Sequence, residues 1–411
     1  MPAGKLTQPA PKGMRLQIGI FGRRNVGKSS LLNAITRQQV SIVSDQAGTT
    51  TDPVEKPMEL QPIGPVLFID TAGVDDEGAL GGLRMARTRQ VFDRVDVAVI
   101  VAEAGLWSKF EDELMGEFRR RGVPTVAVFN KADLNSAAPL VGIVAVRTEA
   151  LAGRGIPELR EALRQAVSPE LLRDPAILGD LVGPGELAVL VVPIDKEAPK
   201  GRLILPQVQA IRDLLDSDSL CMVVKERELR TALCRLKSPP KLVVTDSQAF
   251  LKVAADTPDS VPMTSFSILF SRLKGDLTTQ VEGAIAIDGL DSGDRVLIAE
   301  ACSHHPVTDD IGRVKIPRWI RQYTGAAIEF DHCQGHDFPE DLSRYRLVVH
   351  CGACMWNRRE MHARLRRCRD AAVPITNYGL TIAYTLGIFE RALGPFPGVL
   401  ERYRELRGCH V

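Results

Sequence analysis

The chain has no excess of either charge: 52 Lys and Arg stand against 51 Asp and Glu in 411 residues. A protein built chiefly to hold RNA or DNA is ordinarily more basic, so no nucleic-acid partner is expected. A membrane-length apolar run is also missing, and Val95–Ala102 reads as a buried strand, so no membrane partner is expected. Residues 1–13 are rich in Pro, Gly and Lys without an apolar core, which makes them a loose tail and not a signal peptide. The eight cysteines are scattered, unlike the dense framework of a small secreted domain, and a reducing cytoplasm is the natural compartment. No short-period repeat occurs. Histidine is absent until His304, and all seven fall from there onward, which marks the last quarter of the chain as a candidate site.

What is present is α/β patterning. At this length two or three cores are expected. Strand-like runs alternate with amphipathic helical stretches, the signature of parallel layers. Strands are predicted at Leu16–Phe21, Val66–Ile69, Val95–Val101, Thr125–Phe129 and Gly142–Val146, with helices at Ser29–Thr36, Glu111–Arg121 and Ile156–Ala166. The Pro- and Gly-rich stretch Ser168–Glu186 reads as a linker. A second set follows, with strands at Leu187–Ile194, Cys221–Val224 and Lys241–Val244, and a third after Gly275, with strands at Val296–Ala299, Ala327–Phe330, Leu347–His350 and Val373–Thr376. The fold class is therefore α/β: a phosphate-loop domain followed by two smaller parallel-sheet α/β domains.

Gly22-Arg23-Arg24-Asn25-Val26-Gly27-Lys28-Ser29 follows a strand and opens a helix. Backbone N–H groups of such a loop face phosphate oxygens, Lys28 neutralises β/γ charge, and Ser29 reaches Mg²⁺, with Ser30 a further candidate contact. Asp70-Thr71-Ala72-Gly73 ends the next strand, where Asp70 can hold the Mg²⁺ shell and Gly73 can sense the γ-phosphate. Asn130-Lys131-Ala132-Asp133 ends another strand. A carboxylate there accepts two N–H donors of guanine that adenine does not offer, so Asp133 selects GTP over ATP. Three motifs in order make a chance match improbable.

Cys302-Ser303-His304 and His350-Cys351-Gly352-Ala353-Cys354 gather three thiols and two imidazoles at the ends of two predicted strands. Ligands bind beyond the carboxyl ends of parallel strands, so these pieces are expected to converge on one spot. Three thiolates suit an iron–sulfur cluster with one exchangeable position, which His304, His350 or Asp309 could fill. Zinc is the rival, since three Cys and one His form an ordinary structural zinc set. The run Arg358, Arg359, Arg364, Arg366, Arg367 and Arg369 is read as a solvated helix face.

Residues 16–166 resemble the small GTPases of the TrmE–Era–Der type. The resemblance implies that Gly48–Asp52 is the switch segment with Thr50 on Mg²⁺, and that Asn25 helps hold K⁺. Val74 stands where a Ras-type GTPase has Gln, so hydrolysis should be slow. Glu149-Ala150-Leu151 is a poor match to the fifth guanine-contact motif. The spacing Cys-x-His, forty-five residues, His-Cys-x-x-Cys resembles the HydF family of [FeFe]-hydrogenase maturation GTPases, across almost the whole chain. That resemblance implies a GTPase domain (1–170), a dimerisation domain (178–271) and a cluster-binding domain (272–411). It further implies a [4Fe–4S] cluster on Cys302, Cys351 and Cys354, with His304 and His350 lining the site and Asp309 where a carboxylate fourth ligand can occur. Such proteins are scaffolds and carriers for a di-iron subcluster precursor, receiving products of the radical-SAM maturases HydE and HydG and loading apo-hydrogenase HydA. The alternative is an RNA-related GTPase with a zinc-fastened tail.

Overall fold

Alternation along each strand decides how the first region is layered. In β1 (Leu16–Gly22), Ile18 and Ile20 face one core while Phe21 faces the other. In β4 (Val97–Glu103), Val97, Val99 and Val101 join the first core and Ala98 and Ile100 the second. A sheet apolar on both faces must be covered on both, and helices do this. Lys28–Thr36 and Ile156–Ala166 supply Leu31, Ile35, Leu159 and Leu163 to one side, and Lys109–Arg120 supplies Leu114 and Phe118 to the other.

In the computed structural model the described residues are 10–36, 53–71, 88, 90–135, 144–172, 175–194, 201, 203–301 and 310–408. They divide into two compact units, Met1–Asp174 and Pro175–Val411. The first holds a six-stranded sheet ordered β2-β3-β1-β4-β5-β6, with β2 (Val54–Leu60), β3 (Gly64–Asp70), β5 (Thr125–Asn130) and β6 (Ala145–Arg147) completing it. All neighbours pair in parallel except β2 with β3. The sequence pattern missed β2: its burial is mixed, as an edge strand's is, and Pro57 sits inside it.

The second unit carries two four-stranded parallel sheets. One is ordered β10-β9-β7-β8, from β7 (Leu187–Val191), β8 (Leu220–Val224), β9 (Leu242–Thr245) and β10 (Met263–Ser265). The other is ordered β12-β11-β13-β14, from β11 (Arg295–Glu300), β12 (Glu329–Gln334), β13 (Leu347–His350) and β14 (Ile375–Asn377). One apolar core runs through both, taking Val189 and Val243 from the first and Ile298 and Val349 from the second. The helix Phe266–Lys274 touches β10 and β14 and buries Phe266, Ile268, Leu269, Phe270 and Leu273, so it is apolar nearly all round, as a helix between layers must be. The sequence break at residue 272 falls within it. Part of the expected linker is also structured: Ile177, Leu178 and Val182 belong to the second unit's core. A Pro/Gly-rich stretch marks turns, and it did not exclude short buried segments between them. Among the described residues no helix is long and apolar enough to cross a membrane.

Candidate nucleotide loop and cysteine turn

The three nucleotide motifs stand at the carboxyl ends of β1, β3 and β5, where Gly22, Asp70 and Asn130 are the last strand residues. The loop after β1 needs backbone that side chains resist. Gly27 has φ +91°, and a Cβ there would meet Asn130 Nδ2 at 2.3 Å. Asn25 takes φ +61°, a left-handed conformation that Asn tolerates better than most residues. Lys28 is buried, and its ammonium donates to the carbonyls of Gly22 (3.0 Å) and Arg23 (2.7 Å). The Ser29 hydroxyl donates to Asp70 Oδ2 at 2.7 Å, joining the first two motifs.

Asn130 is the latch between the loop and the base-side motif. Its Nδ2 donates to Val26 O at 2.9 Å, and its Oδ1 accepts from Thr148 Oγ1 (3.0 Å) and Ala150 N (3.1 Å). The segment discounted in the sequence, Glu149–Leu151, therefore meets Asn130 through the Ala150 backbone, because a backbone donor does not depend on residue type. Asp133 is exposed, and Lys131, at φ +56°, pairs with Glu103 at 2.8 Å. Arg23 was not singled out by sequence. Its guanidinium bonds the fully buried Glu111 at 2.9 Å and lies 5.2 Å from the Phe110 ring, tying the loop to the helix Lys109–Arg120. Thr50, Gly73, Val74 and the rest of the segment 48–52 lie outside the described residues.

In the second unit, β11 is followed by β12 on one side and β13 on the other, so the ends of β11 and β13 flank the reversal of strand order where open sheets hold ligands. The two strand ends do meet. Ala301, next in chain to Cys302, donates its N–H to Cys351 Sγ at 3.1 Å, and Ala353 N donates to the same sulfur at 3.4 Å. Cys351 N is bonded to Ala299 O at 2.9 Å. Ala353 has φ +51°, so the turn carrying Cys351 and Cys354 is tight. Sulfur receiving backbone N–H donors is sulfur prepared to bear negative charge, and this chemistry fits a thiolate-held metal group. Cys302, His304 and Asp309 lie outside the described residues, and among the described ones no three His, Cys, Asp or Glu side chains form a metal-binding group.

His350 has another task than ligation. It is fully buried; its Nδ1 donates to Cys351 O at 2.8 Å, and its Nε2 accepts from Arg364 Nη1 at 3.0 Å, which leaves neither nitrogen for a metal. Burial, and then the Arg364 charge, push its pKa down to about 3, so it is the neutral imidazole that holds this turn. The solvated-face reading of the arginine run needs correction at Arg364, which is 4% exposed. Its guanidinium lies 4.1 Å from the Trp356 ring and 4.5 Å from the Phe338 ring, and it also donates to Gly335 O. Helical periodicity buries Arg364 where aromatic faces and a carbonyl receive it, and half-buries Arg367, which donates to Pro339 O at 2.6 Å and lies 5.1 Å from the Phe338 ring; Arg358, Arg366 and Arg369 remain exposed. Glu300, at the end of β11, is a buried carboxylate that sequence reading passed over. It accepts from Tyr378 (3.0 Å) and Gln334 (3.0 Å), and burial, with Glu300 beside it, holds the Tyr378 phenol well above its ordinary pKa.

Comparisons with known proteins agree with this division. Residues 17–131 match the 50S ribosome-binding GTPase family model. The chain is 43% identical over 175 residues to the tRNA modification GTPase MnmE of Synechococcus sp., covering 40% of this chain and 37% of that protein. It is 38% identical over 133 residues to GTPase Der of Wolinella succinogenes, covering 31% and 28%. The chain thus spans well under half the length of either curated relative. The G domain of the T. maritima FeoB iron transporter matches at 21% identity, with a TM-score of 0.30, over 38% of this chain and 99% of that one. Residues 177–275 match the hydrogen maturase F dimerization domain and residues 278–395 the hydrogen maturase F tetramerization domain. With a GTPase domain ahead of both, and the two matches together taking in more than half of its residues, the chain belongs to the hydrogen maturase F (HydF) family.

Proposed function

We propose that this protein is a GTPase scaffold and carrier in [FeFe]-hydrogenase maturation. The observation that carries the reading is the meeting of the β11 and β13 ends at Cys351, in a chain with both hydrogen maturase F domains. Cys302, Cys351 and Cys354 would hold a [4Fe–4S] cluster, with Asp309 or His304 at the fourth position. Bound there, the cluster would supply an iron with an exchangeable coordination site. The chain's own contribution is to fix the sulfurs: backbone N–H groups of Ala301 and Ala353 stabilise the Cys351 thiolate, and His350 with Arg364 holds the carbonyl behind it. The cargo is a di-iron subcluster precursor, received from HydE and HydG and passed to apo-HydA.

In the first unit, Gly22–Ser30 would cradle the GTP phosphates, with Lys28 on the β/γ oxygens and Gly73 sensing the γ-phosphate. Ser29, Thr50 and Asp70 would hold Mg²⁺, Asn25 would hold K⁺, and Asn130, Lys131 and Asp133 would take guanine. Hydrolysis would be slow and K⁺-stimulated, because Val74 cannot orient water, and would switch partner contacts rather than take part in cluster chemistry. Residues 178–271 would mediate dimerisation and residues 272–411 would bind the cluster. The edge strand β8 exposes Leu220 (57%) and Val223 (44%), an unpaired apolar edge that supports self-association.

The test is activation of apo-HydA by this protein after co-expression with HydE and HydG. Hydrogen evolution should appear with the wild type and be lost with Cys351→Ser. Equal activation by Cys351→Ser would defeat the carrier reading.

A further inference from the structure

Glutamate is almost never fully buried unless it is paired, and Glu111 is fully buried. It stands in the first turn of the helix Lys109–Arg120, which Ser108 caps. Glu111 Oε2 accepts from Ser108 N at 2.9 Å and from the Ser108 hydroxyl at 2.8 Å, while Phe110 N donates to Ser108 Oγ at 3.3 Å. This is a capping box, and water could serve the same backbone donors at a surface. Capping therefore explains one carboxylate oxygen and not the burial. The other oxygen, Oε1, accepts from Arg23 Nε at 2.9 Å, and Arg23 Nη2 also bonds the Ser108 hydroxyl. The sequence Ser-x-x-Glu reads only as a helix start, and nothing in it announces this second task.

Arg23 is thereby held at both ends. Its guanidinium is fixed by Glu111 and Ser108, and its backbone carbonyl accepts from the Lys28 ammonium at 2.7 Å. A lysine carries its charge on a flexible four-carbon stem, so aiming it costs side-chain entropy unless acceptors stand ready. Gly22 O and Arg23 O are such acceptors. Gly22 is placed by the sheet, where it pairs with Val101. Arg23 is the first residue beyond β1, so its peptide is not set by the ladder. A carboxylate 88 positions further along the chain reaches it instead. The same connection after β4 also meets the guanine motif, since Glu103 pairs with Lys131 at 2.8 Å.

We propose that Glu111 is a positioning residue for guanine-nucleotide binding. Through the Arg23 side chain it fixes the Arg23 carbonyl, and that carbonyl aims the Lys28 ammonium at the β/γ-phosphate oxygens. Glu111 acts through Arg23 and not by contact with the nucleotide. Its own negative charge would oppose phosphates, and the ion pair with Arg23 offsets that charge. This inference rests on the reading that Gly22–Ser30 cradles the phosphates of GTP.

The test is a double-mutant cycle read in nucleotide affinity. Guanylyl imidodiphosphate with Mg²⁺ is titrated into full-length wild type, Glu111→Gln, Arg23→Gln and the double variant. Each single variant should bind about tenfold more weakly, and the double variant no worse than about tenfold, because both changes remove one link. A residue that only capped its helix would lower urea stability and leave nucleotide affinity where it was. Arg23→Lys keeps a cation opposite Glu111 and should bind at least about threefold more tightly than Arg23→Gln. That arm decides the matter should Glu111→Gln not fold. Unchanged affinity in the single variants, a loss near a hundredfold in the double variant, or Arg23→Lys no better than Arg23→Gln overturns the positioning role, while binding by the wild type keeps the phosphate reading in place. Wild-type protein that binds no guanine nucleotide overturns both.

Discussion

The loop after β1 and the turn after β13 stand at equivalent places in parallel sheets, yet they are held differently. The nucleotide loop is fixed largely by its own backbone and Lys28: Lys28 bonds the Gly22 and Arg23 carbonyls and Gly27 and Asn25 supply positive φ, while the side chains of Asn130, Asp70 and Glu111 tie it to neighbouring elements. The cysteine turn is fixed from several sides, by Ala301 just after β11, by Arg364 through His350, and by aromatic rings at Phe338 and Trp356. A locally closed loop serves any ligand carrying phosphates. A turn held by its surroundings can be tuned by residues far from it in sequence, and it can be damaged from just as far.

This difference is open to test. The largest effect is expected at Asp133→Asn. Exchanging the carboxylate for a carboxamide should shift the GTP/XTP preference by about ten-thousandfold toward XTP in competition binding, with iron content unchanged. Lys28→Ala should weaken GTP binding about a thousandfold by equilibrium titration, again without loss of iron. Arg364→Met should leave GTP affinity alone and lower the denaturant stability of the chain by about 3 kcal/mol, since charged hydrogen bonds to His350 and Gly335 and two ring contacts disappear. Were Arg364→Met as stable as wild type, the turn would not depend on its surroundings as described.

The smallest effect concerns buried thiols behind the turn. Burial pushes Cys333 up to about 11 and Cys368 up to about 12. A raised folded pKa favours the protonated form, so the contribution is fully present below the unfolded value near 9 and is lost as pH rises from there through 11 to 12. Between pH 9 and 10, urea unfolding of the wild type should lose about 1 kcal/mol more than that of Cys368→Ala. Equal slopes would contradict it.

What the sequence revealed follows the same division. Gly22–Ser29, Asp70 and Asn130–Asp133 were legible because each motif is contiguous and ends a strongly apolar strand. The cysteines were legible as a cluster, and strand-end reasoning anticipated the meeting of Ala301 with Cys351. Three things were not legible. Arg364 looked like its five neighbours, because helix phase alone does not say which arginine meets Trp356. His350 looked like a ligand, because only three-dimensional contacts reveal that both nitrogens are engaged. β2 and β10 were missed, one as a mixed-burial edge and the other as three residues, Met263–Ser265, too short to show a period.

The central claim is that the cysteine turn holds an iron–sulfur cluster in a chain that also binds GTP. Iron and sulfide analysis with EPR on anaerobically purified, dithionite-reduced protein tests it most directly, alongside the triple Cys302/Cys351/Cys354→Ser variant. The account predicts about four irons and four sulfides per chain and a cubane signal that vanishes in the variant while GTP binding persists. A colourless wild-type protein holding one zinc would contradict it.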